Sequence, residues 1–226
     1  MKKGRSKTAK QYDYYGSARN DMLAHIPEST KTVLEIGCGR GEFSRAIQQK
    51  CSAEVWGVEL FAEAAEQARL TLHKVFVGPI EQQLNNLPDR YFDCICMNDV
   101  IEHLLNPWQV LSALKTKLKP NGIIVASIPN IRHYKNLHNL LIGADWLYTD
   151  AGILDRTHLR FFTHKSMQRL FEESGYTINK IQGVKKSRKF KLKFLNFISG
   201  GKFWDIAYLH FAVIATPAKV TAFAAN

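Results

Sequence analysis

Several things are missing from the sequence, and each absence narrows what the chain can be. None of the four cysteines, Cys38, Cys51, Cys94 and Cys96, forms a CxxC pair, which argues against a zinc ribbon or a thioredoxin-type site. Scattered free thiols suit a reducing compartment, so a cytoplasmic chain is expected. No apolar run approaches the length of a membrane span. The basic start, Met1 to Lys10, is not followed by an apolar segment of signal-peptide length. Neither secretion nor integral insertion is therefore expected. There is no internal repeat and no low-complexity linker. Acidic residues are in short supply, 20 against 31 lysines and arginines, a net charge of +11. That imbalance favours acidic partners: nucleic acid, anionic lipid or a phosphorylated substrate.

What is present reads as one domain over residues 1–226, long enough to bury a core without disulfides or metals. Residues 1–27 form a polar arm followed by a short helix from Ala18, closed by Pro27. Short apolar runs at Thr32–Ile36, Glu54–Glu59, Lys74–Val77, Phe92–Met97 and Ile123–Ile128 predict strands. Helical patterns at Glu42–Gln49, Ala62–Leu72 and Val110–Leu118 lie between them, and Pro120-Asn121-Gly122 reads as a turn. The alternation predicts an α/β fold: a doubly wound sheet with helices on both faces. Residues 130–163 are polar and aromatic without clear periodicity, an inserted lid on the substrate side. A helix at His164–Glu173 and strands at Tyr176–Ile181 and Leu209–Thr216 follow. Residues 185–205 form a basic amphipathic insertion before the last strand.

The strongest signal is the strand-loop-helix around Gly37-Cys38-Gly39-Arg40-Gly41. Glycines let a backbone turn tightly and approach a ligand, because no Cβ intervenes. The spacing is GxGxG rather than the GxGxxG of a dinucleotide site, and no phosphate-holding Gly-Lys-Ser/Thr step follows. Glu35 places a carboxylate just before the loop, where it would repel a pyrophosphate but suit a cationic ligand or the loop amides. Glu59 ends the second strand, where a carboxylate can accept hydrogen bonds from both hydroxyls of a ribose. Together these describe an adenosyl ligand that lacks phosphates and carries positive charge, and S-adenosylmethionine fits.

Val33-Leu34-Glu35-Ile36-Gly37-Cys38-Gly39-Arg40-Gly41 resembles the first motif of class I S-adenosylmethionine-dependent methyltransferases. Phe92 to Leu104 resembles their fourth-strand motif, and Leu118 to Pro129 their fifth-strand hairpin. The resemblance implies a Rossmann-like sheet of seven strands with the last antiparallel. It implies cofactor contacts from Glu35, Gly37, Cys38, Gly39, Glu59, Leu60, Gly78, Ile80, Asn98 and Asp99. Arg19, beside Tyr14 and Tyr15, would meet the methionine carboxylate. Relatives often carry an acid after the third-strand glycine; here Pro79 follows Gly78, with Glu81 as a substitute contact to the adenine. Ser127 to Tyr134 and Gly152 to Thr163 resemble a bacterial branch associated with surface-glycan and ubiquinone-type O-methylation. The implied acceptor is a sugar, a glycolipid or another small molecule.

Transfer to a hydroxyl benefits from a general base. His158 is the first candidate, with Asp155 to orient its ring, and His103 the second. The alternative for the segment is structural, with Asp155 and Arg160 as an ion pair. No metal is expected, since His133, His138, His158 and His164 lack ligand spacing. Phe190, Phe194, Phe197 and Ile198 recur at helical spacing among Lys185, Lys186, Arg188, Lys189, Lys191 and Lys193. Residues 185–198 would suit an anionic membrane surface and a peripheral location; the other reading is a face that caps the domain or a dimer partner. Nucleic acid fits less well, the charge lying in the arm and tail, though an RNA methyltransferase is an alternative. A nicotinamide-dependent oxidoreductase is another; the Tyr176/Lys180 spacing that would support it falls on a strand.

Overall fold

A computed structural model describes residues 19–187 and 190–219. Tyr14, Tyr15, the rest of the arm, Arg188 and Lys189 lie outside the described residues. The elements in chain order are α1 (Asn20–Leu23), β1 (Thr32–Ile36), α2 (Glu42–Cys51), β2 (Glu54–Glu59), α3 (Ala62–Ala68), β3 (Lys74–Val77), α4 (Ile80–Gln83), β4 (Phe92–Asn98), α5 (Pro107–Leu114), β5 (Leu118–Pro129), α6 (Tyr134–Leu141), α7 (His164–Glu173), β6 (Tyr176–Lys186), α8 (Phe190–Ile198) and β7 (Tyr208–Pro217). They build one seven-stranded sheet in the order β3-β2-β1-β4-β5-β7-β6. Strands β1 to β5 pair in parallel, whereas β7 runs antiparallel to both β5 and β6. This is the expected doubly wound architecture with its last strand reversed.

The strands form where continuous apolar side chains are buried on both faces, as parallel sheets require. Alternate residues feed two cores. One face joins Leu34, Ile36, Ile95 and Met97 to Leu111, Leu114, Met167 and Phe171 of α5 and α7. The other joins Val33, Val55, Cys94 and Cys96 to Met22, Phe43, Ile47 and Ala65, from α1, α2 and α3. Local chemistry sets the helix ends. The Asn106 side chain accepts from the amide of Gln109, and Pro107 opens α5. Thr163 and Ser166 form a reciprocal cap at the start of α7.

Several boundaries differ from the sequence expectation, among them that of β6, which runs past Ile181 to Lys186 and so takes in the start of the 185–205 segment. Helix α5 begins at Pro107 and stops at Leu114, because the Asn106 cap lies ahead of the apolar run. Helix α3 stops at Ala68. The Pro120–Gly122 turn is absorbed into β5, whose pairing with β4 begins at Leu118 and shifts register between Phe92 and Cys94. Within 130–163, the short helix α6 carries Tyr134, Leu137, Leu140 and Leu141 at helical spacing, a stripe the sequence reading passed over, and none of its residues is buried.

The sheet directions place the functional segments. The carboxyl ends of β1, β2, β4 and β5 deliver Gly37, Glu59, Asn98 and Pro129 to one edge. The reversed β7 brings its first residues to the same edge, with His210 opposite Pro129.

Candidate active site

The glycine loop leaves β1 with Gly37 at φ +73°, Gly39 at +54° and Gly41 at +86°, backbone shapes that favour glycine. A Cβ on Gly37 would lie 2.7 Å from Val100 Cγ2, and one on Gly41 2.7 Å from a Leu72 methyl. The loop is therefore packed against both the segment after β4 and the end of the α3 region. Amides of Gly37 and Cys38 donate to the Val58 carbonyl at 2.8 and 3.2 Å. Cys38 is buried against Gly57, and burial raises its thiol well above the ordinary range, so it is a packing group rather than a nucleophile.

Glu59, buried at the end of β2, accepts from the Gly39 amide at 2.8 Å and the Phe61 amide at 3.0 Å. Its carboxylate ties the second strand to the glycine loop, and each oxygen keeps lone-pair capacity for a further donor. Glu35 does not face the loop amides. It is buried and accepts from the Ser44 hydroxyl on α2, and burial pushes its carboxyl up to about 8. Leu60 is 56 % exposed beside this edge. Gly78 sits at φ +120° and donates to the Glu59 carbonyl at 2.8 Å. Ile80 is buried, while Glu81, at the exposed surface, does not turn inward.

Arg19 is buried and forms an ion pair with Asp99, a 2.7 Å hydrogen bond to Ser127 Oγ and a 3.1 Å contact with Asp21. Ser127 in turn donates to Asp99 at 3.0 Å. Asp99 holds φ +56°, uncommon outside glycine, asparagine and aspartate. Next to it, the Asn98 amide has both its nitrogen and oxygen buried without a hydrogen-bond partner among the described residues. Such an orphan at a strand end fits a polar ligand lying over the edge of β4.

The segment 130–163 brings His158 to the same edge, but Asp155 does not orient its ring. His158 Nδ1 lies 2.9 Å from the Ile153 carbonyl, which can only accept, so the proton sits on Nδ1 and the Nε2 lone pair is free. Nε2 faces Glu102 Oε1 at 3.9 Å. Asp155 instead accepts from the amide and hydroxyl of Thr157 at 2.8 and 2.6 Å. The Asp155–Arg160 ion pair does not form either; Arg160 donates to the Leu105 and Leu159 carbonyls. His103 stacks edge-on to His158 at 4.7 Å and contacts Thr157. Burial, followed by the neighbouring His158, lowers its imidazole.

Two groups here escaped sequence reasoning. Glu102 is 1 % exposed, with neither carboxylate oxygen hydrogen-bonded among the described residues, and burial raises its carboxyl well above the ordinary range. His210 lies 3.6 Å from Asp99 through Nε2. The fourth-strand motif contains Glu102, so it was visible but unread; nothing local marks His210. The cluster also bears on metals. Donor atoms of Glu102, His103 and His158 lie within 4.8 Å of one another. These are ligand types a divalent ion accepts, but a bound ion would need the donors drawn closer together.

Comparison with known proteins gives the family and the fold. The sequence model of a methyltransferase domain matches residues 8–181. A ubiquinone biosynthesis O-methyltransferase of Aeromonas salmonicida is 30 % identical over 190 residues, covering 79 % of this chain and 74 % of that protein. The protein of the same name from Psychrobacter arcticus is 30 % identical over 182 residues, covering 75 % and 68 %. Among solved structures, a SAM-dependent methyltransferase from Archaeoglobus fulgidus superposes with a TM-score of 0.68 at 20 % identity, covering 93 % of this chain and 99 % of that one. A Burkholderia thailandensis 1,6-didemethyltoxoflavin-N1-methyltransferase, solved with S-adenosylhomocysteine, gives 0.58 at 16 % identity, covering 94 % and 81 %. The chain belongs to the methyltransferase-domain family, the S-adenosylmethionine-dependent enzymes whose first and fourth-strand motifs it carries.

Proposed function

We propose that this methyltransferase transfers a methyl group to a hydroxyl of a small acceptor, a sugar, glycolipid or comparable molecule, at an anionic membrane surface. One observation carries the oxygen reading: a buried imidazole with a free Nε2 lone pair, set against a buried carboxyl at the edge where the cofactor motifs converge. The names of the ubiquinone-type relatives support it.

Bound S-adenosylmethionine would supply an electrophilic methyl on a positively charged sulfur. Arg19 suits its carboxylate, Glu59 its ribose hydroxyls, and Ile80 the wall of its adenine, with Gly37, Gly39, Leu60, Gly78 and the Asn98–Asp99 backbone around it. The chain's own task is then to orient the acceptor and remove a proton. The acceptor hydroxyl would give its proton to His158 Nε2 as the methyl leaves the sulfur for its oxygen. The Glu102 carboxyl, which burial favours in its neutral form, lies 3.9 Å from that atom. His103 packs the ring from the side, and Asp155 serves only to shape the loop.

The membrane reading rests on α8. Phe194, Phe197 and Ile198 are exposed, Phe197 by 81 %, so these side chains do not cap the domain. Leu192 and Asn196 supply the packing instead, beside Phe203, Trp204 and Tyr208 around a cavity of about 160 Å³. Lys185, Lys186 and Lys193 are exposed nearby. No helix among the described residues is long and apolar enough to cross a membrane. Apolar side chains framed by lysines match the interior and headgroups of an anionic leaflet.

Calorimetry with S-adenosylhomocysteine and NAD tests the cofactor; binding of NAD alone would overturn it. Methyl transfer from labelled S-adenosylmethionine to hydroxylated acceptors tests the chemistry. His158→Ala should abolish most turnover while S-adenosylhomocysteine still binds. Full turnover would place the base elsewhere.

A further inference from the structure

His210 is a buried side chain that the cofactor motifs do not explain. It sits near the start of β7, paired with Pro129 at the end of β5. Its side chain is 12 % exposed. Nε2 faces the Asp99 carboxylate at 3.6 Å, and Asp99 is itself fixed by Arg19 and Ser127. Nδ1 is buried with no hydrogen-bond partner among the described residues. A carboxylate only accepts, so the proton belongs on Nε2 and a lone pair is left on Nδ1. Burial lowers the imidazole to about 4, with Asp99 and Asp21 opposing and Arg19 and Lys185 adding to the effect, so the ring is neutral near pH 7. A buried acceptor atom without a donor costs stability, and a ligand donor would remove that cost.

The strand order says which ligand. In the sheet β3-β2-β1-β4-β5-β7, the glycine loop and Glu59 occupy β1 and β2. His210 lies on the opposite side of β4 from the nucleoside, two strands further on. We propose that His210 is an acceptor-binding residue: its Nδ1 receives a hydrogen bond from a hydroxyl of the molecule to be methylated, with Asp99 orienting the ring. The acceptor then lies across the end of β4 between two imidazoles, His158 and His210. This rests on the hydroxyl-acceptor reading above.

The test compares wild type, His210→Phe and His210→Asn with three hydroxylated probes: phenol, catechol and methyl glucoside. Phenylalanine keeps a planar ring without the lone pair. The asparagine side-chain oxygen places an acceptor near the Nδ1 position. With the best probe, His210→Phe should raise the KM by about three- to tenfold, the worth of one hydrogen bond, with an unchanged Kd for S-adenosylhomocysteine. His210→Asn should recover much of that loss, which a purely structural role would not show. Equal KM values for wild type and His210→Phe would overturn the proposal, as would His210→Asn behaving like His210→Phe. If the wild type binds S-adenosylhomocysteine but methylates none of the probes, the small-hydroxyl reading fails and this proposal with it. If it does not bind S-adenosylhomocysteine, the cofactor assignment has failed.

Discussion

Replacing Glu35 with glutamine should stabilise the ligand-free protein, and increasingly so as the pH rises. Glu35 is 3 % exposed, and burial raises its carboxyl from 4.5 to about 8, opposed by the Ser44 hydrogen bond. A carboxyl whose folded pKa is raised adds stability that is fully present below about 4.5. As pH climbs above that value, the unfolded carboxyl ionises while the folded one stays protonated, and stability is lost until the folded group ionises near 8. From pH 6 to that point the loss is two pH units at about 1.36 kcal/mol each, or about 3 kcal/mol. Glutamine keeps an oxygen for the Ser44 hydroxyl and does not titrate. For a chain of this size the Tm difference between Glu35→Gln and wild type should therefore widen by about 5–10 °C between pH 6 and pH 9. Scanning calorimetry of both proteins across that range measures it, and comparing the two cancels every other titrating group. A difference that stays flat across the range would refute the desolvated carboxyl described here.

Three further outcomes follow from the site. Gly37→Ala should weaken S-adenosylhomocysteine binding at least about tenfold and lower the Tm, because a side chain at φ +73° is strained by about 1–3 kcal/mol and meets Val100 at 2.7 Å; wild-type affinity and Tm in calorimetry would contradict this. Glu59→Ala should weaken the same ligand about 10- to 100-fold, the loss of a hydrogen bond to a charged group, and an unaltered Kd would remove Glu59 from the ribose. Wild type should sediment with phosphatidylglycerol vesicles at low salt and be released by high salt, whereas Phe194→Asp with Phe197→Asp should stay in the supernatant; equal sedimentation of the two proteins would exclude α8 as the docking element.

The glycine loop was legible because it is local in sequence. Glu35 and the three glycines lie within seven residues of one strand-loop-helix connection, whereas the Ser44 partner of Glu35 went unread. Glu59 needed one more step, that parallel strands end on the same edge. The lid was less legible because its contacts are made by backbone. Asp155 and His158 are three residues apart, a spacing that suggests a pair. The ring instead turns to the Ile153 carbonyl, while Asp155 closes a turn on Thr157. His210 was beyond reach: 111 positions separate it from Asp99, and only the reversal of β7 brings them together.

That reversal gives the edge of β4 its chemical character. Among the described residues, few buried side chains have unpaired polar atoms, and Arg132 and Asp205 pair with each other at 2.7 Å. Asn98, Glu102, His210 and Ser174 remain; Ser174 follows the end of α7, whereas the other three belong to the neighbourhood of Asp99, whose charge reaches both Glu102 and His210. Each such group costs about 1–3 kcal/mol when left unsatisfied. Three of them together are a large fraction of a typical folding free energy of about 5–15 kcal/mol. A stability-driven sequence would place apolar residues there, as it does along the interior of β4. Hydrogen-bonding groups of a bound ligand at these positions would remove that cost. At one fixed concentration, S-adenosylhomocysteine should therefore raise the Tm of the wild type more than that of an Asn98→Leu variant, because weaker binding gives less stabilisation. Equal shifts would mean that Asn98 has a partner other than the ligand.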